Sequence, residues 1–551
     1  MRGVKKKHLI IGSLSVILLT GIILSASYII QTDSFSDILK VKIQEKLYDK
    51  AETGLYSLER TKGFYQSDSF IPVWINNANS MRQAASLLTF LNSAATEGLI
   101  VRKYHGDQLK HNLDQYKQWI SEKQADSLAE FDILLTDACL TYAMDIAKGQ
   151  LQNYGKNETR NSGPFEIGFK NALDSQRLDV WLRSLPPNNC AYKELKDALA
   201  RYTQIKNNHG FLRLDDSTVY LAPGDSGLNV LRVRQYLKQT GDLDDSMAAD
   251  SEKFDSTLEA GILCFQYRNG LHETGTVDIQ TLQLMNEPVD EKIGHIMASM
   301  ERLRWLPPDQ GGEYIQVNIT DFTLRVIENY STKLKMRVIV GKPYKQTPVF
   351  HSNITYVVLN PSWEVPKSIM TTEILAALKK DPAYLEKHHM QIFNAEGAEL
   401  NPDTIKWQYV DAERFNYRIK QTPGPWNSLG RIKFYFPNPY SVYLHGTPDK
   451  YLFARDVRAY SHGCMRIEDP LALAVCLLKN VGYDKDLIEE QLDNDSEMSV
   501  VLKPYVPVNI TYQTAWIDGN DRLCFRDDIY GRDAAFVKYA KEGEDKSVPK
   551  M

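Results

Sequence analysis

Ser461-His462-Gly463-Cys464-Met465-Arg466, with His445 nineteen residues before the cysteine, offers this chain a thiol and an imidazole that one fold could join. A free cysteine has a pKa near ~8.5 and is mostly protonated at neutral pH, so a nucleophilic role demands a neighbouring base or a positive field. His445, in Tyr443-Leu444-His445-Gly446, is the candidate base. Gly463 allows a tight turn and leaves amide N–H groups uncovered where a tetrahedral oxyanion would form. Downstream, Asp469 reads as an N-cap and Pro470 as the first position of a helix through Leu478, with Gly482 as its end. Cys464 therefore falls in a loop leading toward a helix N-terminus, whose dipole acts only weakly at that distance.

The plainer readings differ from residue to residue. Cys476, inside the apolar run Leu471 to Leu478, reads as a small buried hydrophobe, whereas Ser, His, Gly and Arg surround Cys464. A zinc site built from His445, His462 and Cys464 is disfavoured, because His462-x-Cys464 is cramped and no C-x-x-C pair or H-x-x-x-H helix accompanies it. No metal and no organic cofactor is expected.

These residues carry a resemblance. His445-Gly446 followed by Ser461-His462-Gly463-Cys464-x-Arg466 resembles the signature of the L,D-transpeptidases, bacterial cell-wall enzymes with a cysteine nucleophile. Asn360-Pro361-Ser362-Trp363-Glu364-Val365-Pro366, Pro423-Gly424-Pro425-Trp426-Asn427-Ser428-Leu429-Gly430 and Ala515-Trp516-Ile517-Asp518 are similar to segments of the larger Gram-negative members. The resemblance implies that Cys464 attacks a peptide carbonyl, that His445 takes its proton and that the Gly446 carbonyl orients the imidazole. It also implies that Tyr443 and the amides of Gly463 and Cys464 line the oxyanion region. Ser461 and His462 belong to the motif, His462 either in the chemistry or in the architecture of the loop. Arg466 would hold a substrate carboxylate or a structural one such as Glu468 or Asp469.

Elements must hold these residues in place. At 551 residues the chain is too long for one core, and 43% hydrophobic with 25% charged residues is ordinary for folded domains. Residues 35–215 read as a helical scaffold, with Ala84, Leu87, Leu88 and Leu91 at helical spacing and Leu195, Leu199 and Tyr202 further on. Residues 216–290 show glycine-bounded helices, from Gly224-Asp225-Ser226-Gly227 through Val230, Val233, Leu258, Ile262 and Phe265, that resemble a small peptidoglycan-binding module. Residues 300–510 hold the catalytic domain. Ile315, Val317 and Ile319, then Phe322, Leu324 and Val326, predict a hairpin across Thr320-Asp321. Met336 to Val340, Thr355 to Leu359, Phe434 to Phe436 and Val442 to Leu444 continue a β-rich sheet and place His445 at a strand end. Residues 367–421 interrupt that rhythm as a capping insertion with a helix at Thr372 to Lys380 and the pair His388-His389. Residues 511–551 remain as a C-terminal tail. The fold class is thus multidomain α+β.

The N-terminus points to a place. Arg2 and Lys5-Lys6-Lys7 form a cytoplasmic tail at 1–8, and Leu9 to Ile30 carries no charge over about 22 residues, enough to span a bilayer as an uncleaved anchor. Ser25-Ala26-Ser27 is the rival signal-cleavage reading. The inner membrane would then hold one span, with the catalytic part in the periplasm. Six cysteines without a regular spacing predict no disulfide framework. A net charge of −5 argues against a broad grip on nucleic acid.

By the resemblance, the function is peptidoglycan L,D-transpeptidation. A thiolate acylates on the third residue of a donor tetrapeptide, a second stem's amine resolves it to a 3→3 cross-link, and carbapenems acylate Cys464. The partners are stem peptides, the inner membrane and other wall-synthesis enzymes. Water as acceptor would make an L,D-carboxypeptidase, and a protein lysine a protein-to-peptidoglycan linker. The reading from another class is a non-catalytic, membrane-tethered peptidoglycan-binding scaffold.

Overall fold

The structure, a computed structural model, describes residues 35–49, 54–75, 78–151, 165–218, 220–244, 251–307 and 312–542. The basic tail and the anchor at 9–30 lie outside the described residues. Among the described residues no helix is long and apolar enough to cross a membrane. The chain divides into two compact units between Asn188 and Asn189.

The first unit is helical: α1 (35–48), α2 (Leu58–Ser67), α3 (Ala78–Ser93), α4 (Gly106–Ser121), α5 (Ala125–Lys148), α6 (Phe165–Asp174) and α7 (Leu178–Arg183). Ala84, Leu87, Leu88 and Leu91 of α3 are buried, as their spacing predicts. Every residue of α5 from Phe131 to Ile146 is buried, so this helix is the centre of the unit rather than an amphipathic wall. Its polar residues are spent on neighbouring backbone: the Asp132 carboxylate accepts from the N–H groups of Val73 (2.9 Å), Trp74 (2.8 Å) and Ile75 (3.1 Å) and from the Tyr65 hydroxyl (2.6 Å). Asp137 likewise accepts from the Tyr56 and Ser57 amides at 3.0 and 2.8 Å. Loops with no strand or helix partner are thereby fastened to the central helix.

The second unit opens with α8 (Cys190–Asn207), which falls inside the span read as scaffold yet packs on α12 (Val289–Leu303). Helical spacing identifies the buried face of Leu195, Leu199 and Tyr202 but not the core it joins. Between them α9 (Leu228–Thr240), α10 (Ser256–Arg268) and α11 (Ile279–Met285) enclose Val230, Val233, Tyr236, Leu258, Ile262 and Phe265. Asp255 and Asp278 cap α10 and α11 by accepting from Leu258 and Thr281 amides at 3.0 and 2.7 Å.

The β-rich part begins with β1 (Glu313–Asn318) and β2 (Thr323–Glu328), an antiparallel hairpin pairing Ile315 with Val326 and Val317 with Leu324. β3 (Ser331–Gly341) and β4 (Phe350–Leu359) follow, then β5 (Trp363–Glu364), α13 (Lys367–Ile369), α14 (Leu375–Lys380), α15 (Tyr384–Lys387), β6 (Met390–Phe393), β7 (Glu399–Leu400) and β8 (Arg418–Gln421). β9 (Ile432–Tyr435), β10 (Leu444–His445), β11 (Ala459–Ser461), β12 (Met465–Ile467), α16 (Pro470–Leu478), α17 (Lys485–Asp493) and β13 (Met498–Thr511) complete the main sheet. Its strands run β3-β12-β10-β9-β4-β13-β1-β2, and β2 pairs back onto β3, so the sheet closes on itself with β11 beside β3. Val317, Leu324, Val338, Val357, Phe434, Leu444, Met465 and Val508 fill one core, against which Leu473 and Leu477 of α16 also pack.

The interruption read at 367–421 starts earlier, at Trp363, as a subdomain with its own sheet, β5-β8-β6-β7, and its own core around Val365, Leu375, Leu378, Ile392, Trp407 and Ile419. The segment read as a C-terminal tail holds structure through Glu542. β13 ends at Thr511, the first residue of that segment, and β14 (Ala515–Ile517) pairs with β15 (Leu523–Phe525) before α18 (Arg532–Glu542) packs on α12. Asp533 of α18 is buried against Arg302 and lies 2.6 Å from His295 Nδ1, so charge pairing fixes this segment as well as apolar contact.

Candidate active site

β10 and β12 run parallel and side by side, with Leu444 opposite Met465 and His445 opposite Arg466. Leu444 and Met465 enter the core. Strand alternation then puts His445 and Arg466 on the other face, together with Tyr443 and Cys464 two residues before each. β9 adds Lys433, whose register partner is His445. The sequence segments holding the thiol and the imidazole are thus neighbours in one sheet.

His445 is buried, and its Nδ1 lies 2.6 Å from the Gly446 carbonyl oxygen. A carbonyl oxygen can only accept, so Nδ1 carries the proton and Nε2 keeps its lone pair. Burial, then the positive charges of Arg466 and Lys433, push the imidazole down to about 3, against the pull of the Gly446 and Leu429 carbonyls. The ring is therefore neutral and able to accept a proton at physiological pH. A glycine is required at 430 to build this arrangement: its φ is +63°, and a Cβ there would fall 2.7 Å from the Gly446 carbonyl carbon.

Cys464 stands in the turn between β11 and β12, with Gly463 at φ 114°. Ser461 ties this turn together: its hydroxyl donates to the Cys464 carbonyl at 2.5 Å and accepts from the Gly463 amide at 3.1 Å. The Gly463 amide is thus engaged rather than uncovered, which differs from the expectation for an oxyanion donor. The Gly463 carbonyl accepts from the Thr347 hydroxyl at 2.9 Å. Thr347 is in turn held by Tyr530 and Arg532, so the C-terminal segment supports the turn. Burial pushes the Cys464 thiol up, while contacts from Tyr443 and the positive charges of Lys433 and Arg466 oppose that shift. Burial likewise holds the Tyr443 hydroxyl well above its ordinary value, so it stays protonated and can donate.

Arg466 is paired with Asp449 at 3.0 Å, not with either of the acidic residues that follow it. Glu468 instead pairs with Arg337, and Asp469 caps α16 by accepting from the Ala472 amide at 2.9 Å. His462 turns away to the capping subdomain, with Nε2 at 2.6 Å from Glu373 Oε1. Trp363 of β5 reaches the Tyr443 hydroxyl, so the cap touches the site from two directions. His388 lies over Tyr384 with ring centres 4.2 Å apart, and His389 stacks on Trp426 at 3.9 Å. Among the described residues no cluster of three or more His, Cys, Asp or Glu could hold a metal ion, and all six cysteines are free. Lys433 and Glu373 were invisible as site residues in the sequence. Only strand register and the placement of the cap bring them here.

The arrangement agrees with what the chain is similar to. Residues 312–484 match the family model of the L,D-transpeptidase catalytic domain, residues 59–199 a scaffold domain, and residues 226–285 the model described as "Putative peptidoglycan binding domain". A Haemophilus influenzae protein named "Putative L,D-transpeptidase" is 36% identical over 238 residues, covering 43% of this chain and 48% of that one. The chain thus matches about half the length of that curated relative. An L,D-transpeptidase structure from Xylanimonas cellulosilytica is similar at 11% identity, with a TM-score of 0.17, over 53% of this chain and 98% of that one. A second, from Mycobacterium smegmatis, is similar at 14% identity and TM-score 0.18 over 36% and 59%. This chain carries an L,D-transpeptidase catalytic domain.

Proposed function

We propose that the protein is a peptidoglycan L,D-transpeptidase that forms 3→3 cross-links through a thioester on Cys464. The observation that carries this reading is the pairing of β10 with β12, which sets a buried imidazole with a free Nε2 lone pair beside the strand that begins after Cys464. In the first step Nε2 of His445 takes the thiol proton as sulfur attacks the carbonyl of the donor's third residue. The S–C bond forms, the carbonyl electrons move to oxygen, and the Tyr443 hydroxyl and the Cys464 amide donate to that oxyanion. Collapse expels D-alanine, whose amine takes the proton back from His445. The amine of a second stem then attacks the thioester, His445 accepts its proton, and the returning thiolate is reprotonated.

The cap supports transfer over hydrolysis, because a lid that keeps water from a thioester favours a bound amine. Carbapenems, which present a strained carbonyl, acylate the same sulfur. The catalytic part works on the periplasmic side of an inner membrane that residues 9–30 cross, where the wall-synthesis partners and stem peptides are found. Residues 226–285 bring it to peptidoglycan.

The test is to incubate the purified full chain in detergent with tetrapeptide muropeptides and resolve the products by mass spectrometry. A dimer joined between two third residues, absent for Cys464→Ala, is the expected result. Tripeptide alone would make the protein a carboxypeptidase, and no Cys464-dependent conversion would leave a binding scaffold.

A further inference from the structure

Lys433 is a half-buried ammonium that the mechanism above does not use. Its Nζ lies 4.0 Å from the centre of the Tyr443 ring, and its register partner on β10 is His445. Among the described residues it has no carboxylate within ion-pair distance. Glu497 acts on it only at longer range, since that carboxylate is engaged by the amide (2.7 Å) and hydroxyl of Ser362. Removing a charge from water without a partner is costly, so a lysine kept here is poised for an anion formed during the reaction.

We propose that Lys433 is the counter-charge of the Cys464 thiolate, an electrostatic positioning residue held over the Tyr443 ring so that sulfur can ionise beside it. The other charged and titratable groups facing the sulfur are accounted for. His445 of β10 and Tyr443, the residue just before that strand, stay neutral. Arg466 of β12 adds its positive charge but is already paired with Asp449, and His462 is joined to Glu373 of the cap. Facing Lys433, β4 offers Val358, which carries no charge. Among the described residues, Lys433 is therefore the cation acting on the sulfur that has no salt-bridge partner. When the S–H bond breaks, the proton passes to Nε2 of His445 and sulfur keeps the electron pair. Lys433 keeps all its protons and lowers the energy of the new anion. Burial pushes Lys433 down and Cys464 up, toward their neutral forms, and against that burial each favours the charged form of the other.

The proposal rests on Cys464 as the nucleophile, and its primary readout needs no wall substrate. Alkylation of the full-length protein by iodoacetamide, followed at Cys464 by peptide mass spectrometry, is measured across pH for the wild type, Lys433→Met and Lys433→Arg. The expected result is that Lys433→Met moves the alkaline limb to higher pH and slows alkylation near neutrality by about tenfold, while Lys433→Arg keeps the wild-type limb. An unmoved limb in Lys433→Met overturns the proposal. So does an unmoved limb with a raised KM for tetrapeptide, which would give the lysine to a substrate carboxylate. Should Lys433→Met fail to fold, Lys433→Gln is read by the same criterion. A Lys433-dependent limb in a protein that converts no muropeptide would uphold this inference while the proposed reaction fell.

Discussion

The buried polar groups of α5 and those around Cys464 stand in opposite conditions. Asp132 is fully buried, and burial raises its carboxyl even though three backbone amides and a tyrosine hydroxyl donate to it and oppose that shift. It has no capacity left for a ligand and serves architecture. His445 keeps an unused lone pair, Cys464 a thiol outside any disulfide, and Lys433 an ammonium without a salt-bridge partner among the described residues. Burial of satisfied groups fixes structure. Burial of groups left one partner short prepares chemistry, because the missing partner is supplied by the reacting molecule.

Substitutions should therefore separate the two regions. Cys464→Ala should abolish acyl transfer with little change in Tm, since only one sulfur atom is lost from a half-buried side chain at the edge of the main core; residual Cys464-independent transfer would break the assignment. His445→Ala should slow acylation by about 10² to 10⁴, the range for a positioned acid–base group, in single-turnover kinetics with a carbapenem. In the wild type the same rate should stay flat from about pH 5 to pH 8. The imidazole, depressed to about 3, is already in its base form throughout, and the raised thiol holds its proton until alkaline pH. A tenfold fall between pH 7 and pH 5.5 would mean an ordinary imidazole.

Asp132→Ala should lower unfolding stability by about 3 kcal/mol, because several buried donors lose their acceptor together. Cys464 alkylation per folded molecule should be unchanged, which denaturant titration and peptide mass spectrometry read separately. Glu373→Gln breaks a pair in which both side chains are substantially solvated, so the thermal midpoint should move by the equivalent of less than about 1 kcal/mol.

The sequence made some of this legible for physical reasons. Alternation over Ile315 to Ile319 and Phe322 to Val326 identified the hairpin, because one face of each strand is buried. Asp469, Pro470 and Gly482 marked the limits of the helical stretch through local backbone chemistry, which needs no tertiary context. Lys433 was hidden because, next to Phe434-Tyr435-Phe436, it reads as the solvent side of a strand. Only its register with His445 turns that side into the site. For Arg466 the sequence left a substrate carboxylate or a structural one such as Glu468 or Asp469 open, and the carboxylate it meets is another one: the strand delivers its guanidinium to Asp449 and Glu468 to Arg337. The Gly463 amide was read as open because the reach of the Ser461 hydroxyl depends on turn geometry.

Trapping the intermediate tests the central claim most directly. The full-length protein is mixed with a tetrapeptide muropeptide, quenched in acid within the first turnover, digested, and the Cys464 peptide weighed. The account predicts a tripeptide-stem adduct in thioester linkage on Cys464, removable by hydroxylamine and missing from His445→Ala at the same quench time. Turnover with an unmodified Cys464 peptide, or an adduct on any other residue, would contradict it.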